Sequence, residues 1–384
     1  MDNLNNKDST EAPAICTEYK GLVNSSNNCF RNSIIQSLFM TPEFKNLLYK
    51  CDVNYYSANM TIVQMKKLFL KLQDPSNETV EWKSNGRMKQ GDAQEFFVNI
   101  LKSFQEELKT ICHFNFINIF QDLLTGQIIN CIKCNVCKTE KLQEETFLDI
   151  SLPIHHSRST KVYTSLIDAL KGFTEIEILD GDNQYFCNCC KKNCNAEKVL
   201  KFSELPYILT ICLKRFKFNY QTTNYIKLSD EIQFPLEINI NSFKFKESSV
   251  KRKVKEGDSE NLSHASNKYH LYVIIIHTGD YNGGHYYAFI KDFKTNQWLK
   301  FNDDSVTVTS MEHIIKISDG VKTTVKEIAK EIPYILMYRK TDDNKNENSL
   351  EFKEFPPHLK EFYNLLMKEE EKTAGRRNKR KRKS

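Results

Sequence analysis

No stretch of this chain is long and apolar enough for a bilayer. The longest apolar runs, such as Leu271 to Ile276, fall far short of the roughly 20 residues that a membrane span needs. The opening residues, MDNLNNKDST, lack the basic start and apolar stretch of a secretory signal, so a reducing compartment is the expectation. There the twelve cysteines do not build a disulfide framework, and their grouping points to metal binding and catalysis. No internal repeat is present, and no broad positive field either. The formal charge is +6, yet seven of the nine residues from Arg376 to Ser384 are Lys or Arg, leaving the remainder close to neutral. A surface that tracks nucleic acid spreads its charge over the domain, so the basic signal belongs to the tail and nucleic acid is not an expected partner.

What is present is 384 residues, 40% of them hydrophobic, enough for one large core or two modest ones. Residues 1–18 are polar and aperiodic and read as a disordered leader. From Cys29, Phe30, Ile34, Ile35 and Leu38 recur at helical spacing, with Asn27 or Asn28 placed to cap the first turn, so Cys29 starts a helix. A second helix opens at Asp92, with Glu95 three residues on in a capping-box pattern. Residues 122–206 change to strand-like runs, polar turns and cysteine pairs, a β-rich insertion. Strands are then predicted at 209–218, 269–277, 286–291, 298–302 and 334–339, and a solvated loop at 241–268. The class is α+β, with an antiparallel sheet.

A thiol reacts as thiolate, and a helix N-terminus favours negative charge through its unpaired amides and dipole, which suits Cys29 to nucleophilic work. The flanking sequence, Gly21-Leu22-Val23-Asn24-Ser25-Ser26-Asn27-Asn28-Cys29-Phe30-Arg31-Asn32-Ser33, resembles the cysteine box of the ubiquitin-specific protease family. Tyr269-His270-Leu271 through Gly283-Gly284-His285-Tyr286-Tyr287 resembles its histidine box, and Trp298-Leu299-Lys300-Phe301-Asn302-Asp303-Asp304 the segment holding that histidine. The resemblance spans about residues 20–340. It implies a papain-like fold with a helical thumb (about 19–121), zinc-ribbon β fingers (about 122–206) and an antiparallel β palm (about 207–340). It also implies Cys29 as nucleophile, His285 as base, Asn302 as the group orienting it and Asn24 as oxyanion donor. Asn302 is neutral, so Asp303 is the expected source of the field on an imidazolium. The glycine before the base leaves room for a substrate backbone, and Gly284, His277 and Asp92 of the segment Lys89–Phe97 are the expected substrate contacts.

Cys134-Asn135-Val136-Cys137 and Cys187-Asn188-Cys189-Cys190 are two knuckles, 49 residues apart, whose outer thiolates suit one tetrahedral metal. By the resemblance this is a structural zinc held by Cys134, Cys137, Cys187 and Cys190. Cys131, Cys189 and Cys194 lie close enough in sequence to keep the ligand set open. The family usually has Gly, Thr and Met where this chain has Ser26, Asn28 and Arg31. Asn28 can cap as Thr does, and Arg31 is expected to point to solvent. A positive φ demanded at Ser26 would cost about 1–3 kcal/mol and favour the alternative of a weakened, ubiquitin-binding scaffold. A nucleic-acid-binding zinc ribbon fits less well, because Lys and Glu are nearly balanced around the knuckles. Beyond 340 the chain is a charged tail (341–384) with a short amphipathic helix at 358–367. Its basic run, 376–383, has the composition of a nuclear import signal, so the nucleus and an import receptor are expected. The function expected is hydrolysis of bonds after the C-terminal glycine of ubiquitin, through an acyl-enzyme thioester.

Overall fold

Five helices come first: α1 (Cys29–Phe39), α2 (Pro42–Lys50), α3 (Thr61–Gln73), α4 (Ala93–Ile111) and α5 (Phe114–Leu124). The computed structural model describes residues 14–381 apart from 17, 26, 58, 75–79, 83–90, 112–113, 157–161, 222, 245–266, 282, 321–330 and 342–347. In α4 the buried side chains are Ala93, Phe97, Ile100, Leu101, Phe104 and Leu108, the single stripe of a helix laid on a core. α1 is different. All but one of its residues are buried, Asn32, Ser33, Gln36 and Ser37 included, so it runs through the centre of the molecule. Several of its polar groups bond within: Ser37 Oγ donates to Ser33 O at 2.7 Å and Gln36 Nε2 to Lys20 O at 2.8 Å, while Asn32 Oδ1 and Gln36 Oε1 are buried without a partner.

Next come β1 (Gly126–Cys134), β2 (Glu140–Phe147), β3 (Ile150–Pro153), α6 (Leu166–Phe173), β4 (Glu177–Leu179), β5 (Tyr185–Cys187), β6 (Lys192–Cys194) and β7 (Ala196–Glu204). One sheet has the order β2-β1-β7-β4, and β5 and β6 form a separate hairpin. β3 and α6 depart from the reading of 122–206 as one insertion. β3 pairs in parallel with the next strand, β8 (Ile208–Lys214), and Leu166, Ala169 and Leu170 of α6 enter the core under that sheet. Their apolar spacing is local, but the surface they cover is assembled from distant strands.

The remaining elements are β9 (Phe216–Asn219), β10 (Asn224–Lys227), β11 (Glu237–Asn239), β12 (Lys268–Asp280), β13 (Gly283–Lys291), β14 (Trp298–Asn302), β15 (Ser305–Thr309), α7 (Met311–Ser318), β16 (Ile332–Lys340) and α8 (Pro357–Lys381). They complete a mainly antiparallel sheet of order β15-β14-β13-β12-β16-β8-β3, with β11 on the start of β12. Ile208–Leu213 and Leu271–His277 are buried without alternation because helices cover both faces. The α+β class stands. Of the expected solvated loop, 241–243 is a short 3₁₀ turn and 245–266 lie outside the described residues. Among the described residues, no helix is long and apolar enough to cross a membrane.

The leader read as disordered and the tail read as charged with one short helix both make contacts with the domain. Residues 1–13 lie outside the described residues, but Ala14–Cys16 lie along β15, with Val308 N–H donating to Ala14 O and Cys16 N–H to Val306 O, each at 2.9 Å. The helix expected at 358–367 is the first part of the 25-residue α8, docked on the thumb. Leu359, Phe362 and Leu366 are buried in its core, each worth about 1.5–3 kcal/mol over exposure. Tyr363 Oη donates to Asp74 Oδ2 at 2.7 Å, and Lys67 and Lys71 pair with Glu369 and Glu370.

Candidate active site

Cys29 opens α1 and is 3% exposed. Asn28 occupies the cap position, but its side chain makes no cap hydrogen bond and its Oδ1 is buried without a partner. The cap expected from Asn27 or Asn28 is therefore absent. Instead Asn24 Oδ1 accepts from Asn28 N–H at 2.8 Å, so the loop before the helix is braced by Asn24. Positive φ occurs at Asn27 (55°), where an Asn is tolerated; Ser26 lies outside the described residues.

His285 is on β13 and Asn302 ends β14, the neighbouring strand. Their side chains meet with His285 Nε2 2.6 Å from Asn302 Oδ1. An amide oxygen only accepts, so Nε2 carries the proton and Nδ1 is the nitrogen left for the thiol. The imidazole pKa is raised to about 9, first by the hydrogen bond with Cys29 and then, against desolvation, by Asn302 and the charge of Asp303. Asp303 Oδ2 lies 3.8 Å from Nε2.

Asp303 also accepts from Asn24 Nδ2 at 2.9 Å and from Asn32 Nδ2 at 2.8 Å. It holds φ at 51°, a left-handed conformation that Asp adopts more readily than most residues. Leu22 N–H donates to Asp303 O at 2.7 Å, and a Cβ on Gly21 would stand 2.4 Å from that oxygen. The nucleophile loop and the turn after β14 thus lie backbone to backbone, and only Gly21 permits it.

Imidazolium is lost as pH rises through about 9, which sets an alkaline limit on activity. Asn302→Ala and Asp303→Ala each remove a group that favours the charged ring, so both are expected to move that limit to lower pH, Asn302→Ala further. The pH dependence of kcat/KM checks this. A profile for Asp303→Ala that superimposes on wild type would show that the carboxylate supplies no field.

Asp92 Oδ1 accepts from the amides of Gln94 and Glu95 at 2.8 and 3.0 Å, capping α4. Its Oδ2 accepts from Tyr334 Oη at 2.6 Å and Tyr286 Oη at 3.4 Å. One carboxylate therefore joins thumb to palm. Lys89 and Gln90 of the same segment lie outside the described residues. Gly284 is partly exposed before His285, and a Cβ there would stand 2.2 Å from His277 Nε2. His277 itself is 3% exposed, packed on Phe216 and Tyr286, and burial lowers its pKa to about 3. It backs the glycine from inside as a neutral ring. Arg31 does not point to open solvent: its guanidinium lies 5.5 Å from the ring centres of both Phe30 and Phe96.

The model of the family described as ubiquitin carboxyl-terminal hydrolase matches residues 20–338. The chain belongs to this family. A ubiquitin carboxyl-terminal hydrolase 47 of Drosophila melanogaster is 35% identical over 423 residues, covering 93% of this chain and 27% of the relative. Its Mus musculus namesake is 33% identical, covering 92% and 30%, and ubiquitin carboxyl-terminal hydrolase 15 of Schizosaccharomyces pombe 30% identical, covering 79% and 26%. The chain spans less than a third of the length of these ubiquitin carboxyl-terminal hydrolases.

At the far end of the fingers of this hydrolase-family chain, Cys134, Cys137, Cys187 and Cys190 bring their Sγ atoms within 4.8 Å of one another. A tetrahedral thiolate site with bonds of about 2.3 Å has edges of about 3.8 Å, so the cluster fits a metal ion with little adjustment. The two knuckles have the same backbone. Lys138 N–H donates to Cys134 O at 2.9 Å and Lys191 N–H to Cys187 O at 2.8 Å, and each lysine takes a left-handed φ, 62° and 55°. The amides of Cys137 and Val136 also lower the Cys134 pKa. Cys194 is buried beside the four; Cys189 is exposed.

Asn32 is a site residue that sequence reading passed over. Besides Asp303, its Nδ2 reaches Leu22 O at 3.1 Å, tying helix, loop and β14 turn together. Its signal was a polar residue one helical turn from the nucleophile inside an otherwise apolar pattern.

Proposed function

We propose that this chain is a thiol-dependent hydrolase of bonds after the C-terminal glycine of ubiquitin. The observation carrying the proposal is the meeting of Cys29, His285 and Asn302 from α1, β13 and β14, with the imidazole hydrogen-bonded to Asn302 and its charged form favoured by Cys29. Family membership supplies the substrate class.

Cys29 Sγ attacks the glycine carbonyl and negative charge develops on its oxygen. Asn24 has one amide proton on Asp303 and its oxygen on Asn28 N–H, which orients the second amide proton as the oxyanion donor. The His285 imidazolium protonates the departing amine, leaving a thioester between Cys29 and ubiquitin. Neutral His285 then takes a proton from water, whose oxygen attacks the thioester, and returns it to the cysteine as the carboxylate leaves. Asn302 fixes the tautomer and Asp303 supplies charge. Asp92 and Gly284 border the channel for the substrate tail, with His277 behind.

The metal in the four-cysteine cluster is read as zinc, because four thiolates at tetrahedral spacing suit it and leave no open position for catalysis. The basic run 376–383 is read as a nuclear import signal for an import receptor; its support is composition alone, and residues 382–383 lie outside the described residues.

The test is a ubiquitin probe with a thiol-reactive C-terminus, applied to wild type and Cys29→Ala and read by mass spectrometry. One adduct at Cys29 in wild type and none in the variant is expected. Ubiquitin binding without an adduct in wild type would replace the hydrolase with a scaffold.

A further inference from the structure

The ribbon carrying His285 leaves its neighbours before it reaches the base. β12 pairs with β16 only as far as His277↔Ile332, and β13 pairs with β14 only from Ala288↔Phe301 onward. Between those limits and the turn, no third strand pairs with either edge of β12 and β13 among the described residues. A two-stranded ribbon is marginal alone, whereas a catalytic base needs to be held within about 0.5 Å.

On the β14 side Asn302 ties the imidazole itself. On the β16 side the carbonyls of His277 and Gly279 point outward, and Lys227 Nζ donates to both, at 2.9 and 2.8 Å. These two residues bracket Thr278, which the ladder sets opposite His285 and whose Oγ1 donates to His285 O at 3.3 Å. Lys227 ends β10, so the β9–β10 hairpin, whose Phe216 also packs on His277, hydrogen-bonds the ribbon through this side chain. Burial and the neighbouring Arg215 lower the ammonium pKa to about 8, against the pull of Asp280. An ion half withdrawn from water needs acceptors, and the two carbonyls of the sheet edge supply them. A second bridge between the same elements is the stacked pair Tyr225 and Tyr281, 4.7 Å between centres.

We propose that Lys227 is a positioning residue for the base: it holds the β12 edge at the carbonyls of His277 and Gly279, and so keeps His285 in register with Cys29. This rests on the protease reading of the site. The test uses the full chain with Lys227→Met, Lys227→Gln and Lys227→Arg. Two quantities are read: kcat and KM on a fluorogenic C-terminal amide of ubiquitin, and the pH dependence of Cys29 alkylation by iodoacetamide without ubiquitin. For Met and Gln, kcat is expected to fall about 10- to 100-fold, as misplacement of a catalytic group by about 1 Å does. KM should stay within about threefold, since binding surfaces are untouched. The alkylation profile should shift, and Arg, which can span both carbonyls, should recover most of the loss. Gln keeps one donor and is the variant to read if Met fails to fold. Unchanged kcat and alkylation in Gln, or a change in KM alone, overturns the proposal. A wild type that alkylates with the expected pH dependence but does not cleave the ubiquitin amide overturns the substrate reading instead, and the alkylation profiles still judge Lys227.

Discussion

His285→Ala is expected to lower kcat/KM on a ubiquitin amide about 10⁴-fold, with ubiquitin affinity little changed. In the proposed mechanism the ring does three jobs in turn: it pairs with the thiol, protonates the leaving amine and deprotonates water. No described neighbour can take these over. Asp303 is engaged by Asn24 and Asn32, and His277 is buried, neutral and occupied with packing. Cys29 is 3% exposed and has bulk water on too little of its surface to replace the acceptor. Affinity should persist because the proposed substrate contacts at Asp92 and the tyrosines around it are tied to one another and not to the imidazole. Steady-state kinetics with a separate binding measurement decides. A variant keeping more than about one part in a hundred of kcat/KM would place the base elsewhere.

Removal of the fingers metal is expected to have the second largest effect, and on a different readout. Metal analysis should find one zinc per chain, and a strong chelator or Cys187→Ser should release it. Thiolate sites of this kind contribute about 10–16 kcal/mol in isolated finger peptides, far more than the hairpin β5–β6 can recover from its three-residue strands. The hydrophobic cluster there consists of the cysteines and Tyr185, separate from the cores of thumb and palm. The fingers should therefore unfold locally, seen as protease cleavage between residues 134 and 194, and ubiquitin KM should rise. Alkylation of Cys29 should be unaltered, because its surroundings belong to the other cores. Retention of the fingers' resistance to proteolysis after chelation would mean that the knuckles hold without metal.

Much of the site was legible because its signals are local. Cys29 begins a helix whose apolar spacing is visible within ten residues, and the knuckles announce themselves by spacing. What was missed depends on distant partners. Asn32 looks like one more polar residue on a helix until residue 303 returns to it. Arg31 was assigned to solvent because the stripe Ile34–Ile35 faces away, yet Phe96 from α4 arrives to stack on it. β3 and α6 carry the apolar spacing of any short elements, and only pairing with β8 assigns them to the palm. The amphipathic helix at 358–367 was legible from its spacing, but the seat of Leu359, Phe362 and Leu366 was not, since it is built by helices nearly 300 residues earlier.

Contact between Gly21 and the turn at Asp303 also orders events in time. A ribosome adding about 5–20 residues per second takes about 15 to 60 seconds from the nucleophile to that turn. During that interval the nascent thumb has a cysteine but neither base nor carboxylate, so the proposed catalytic pair does not yet exist. Arming waits for the palm.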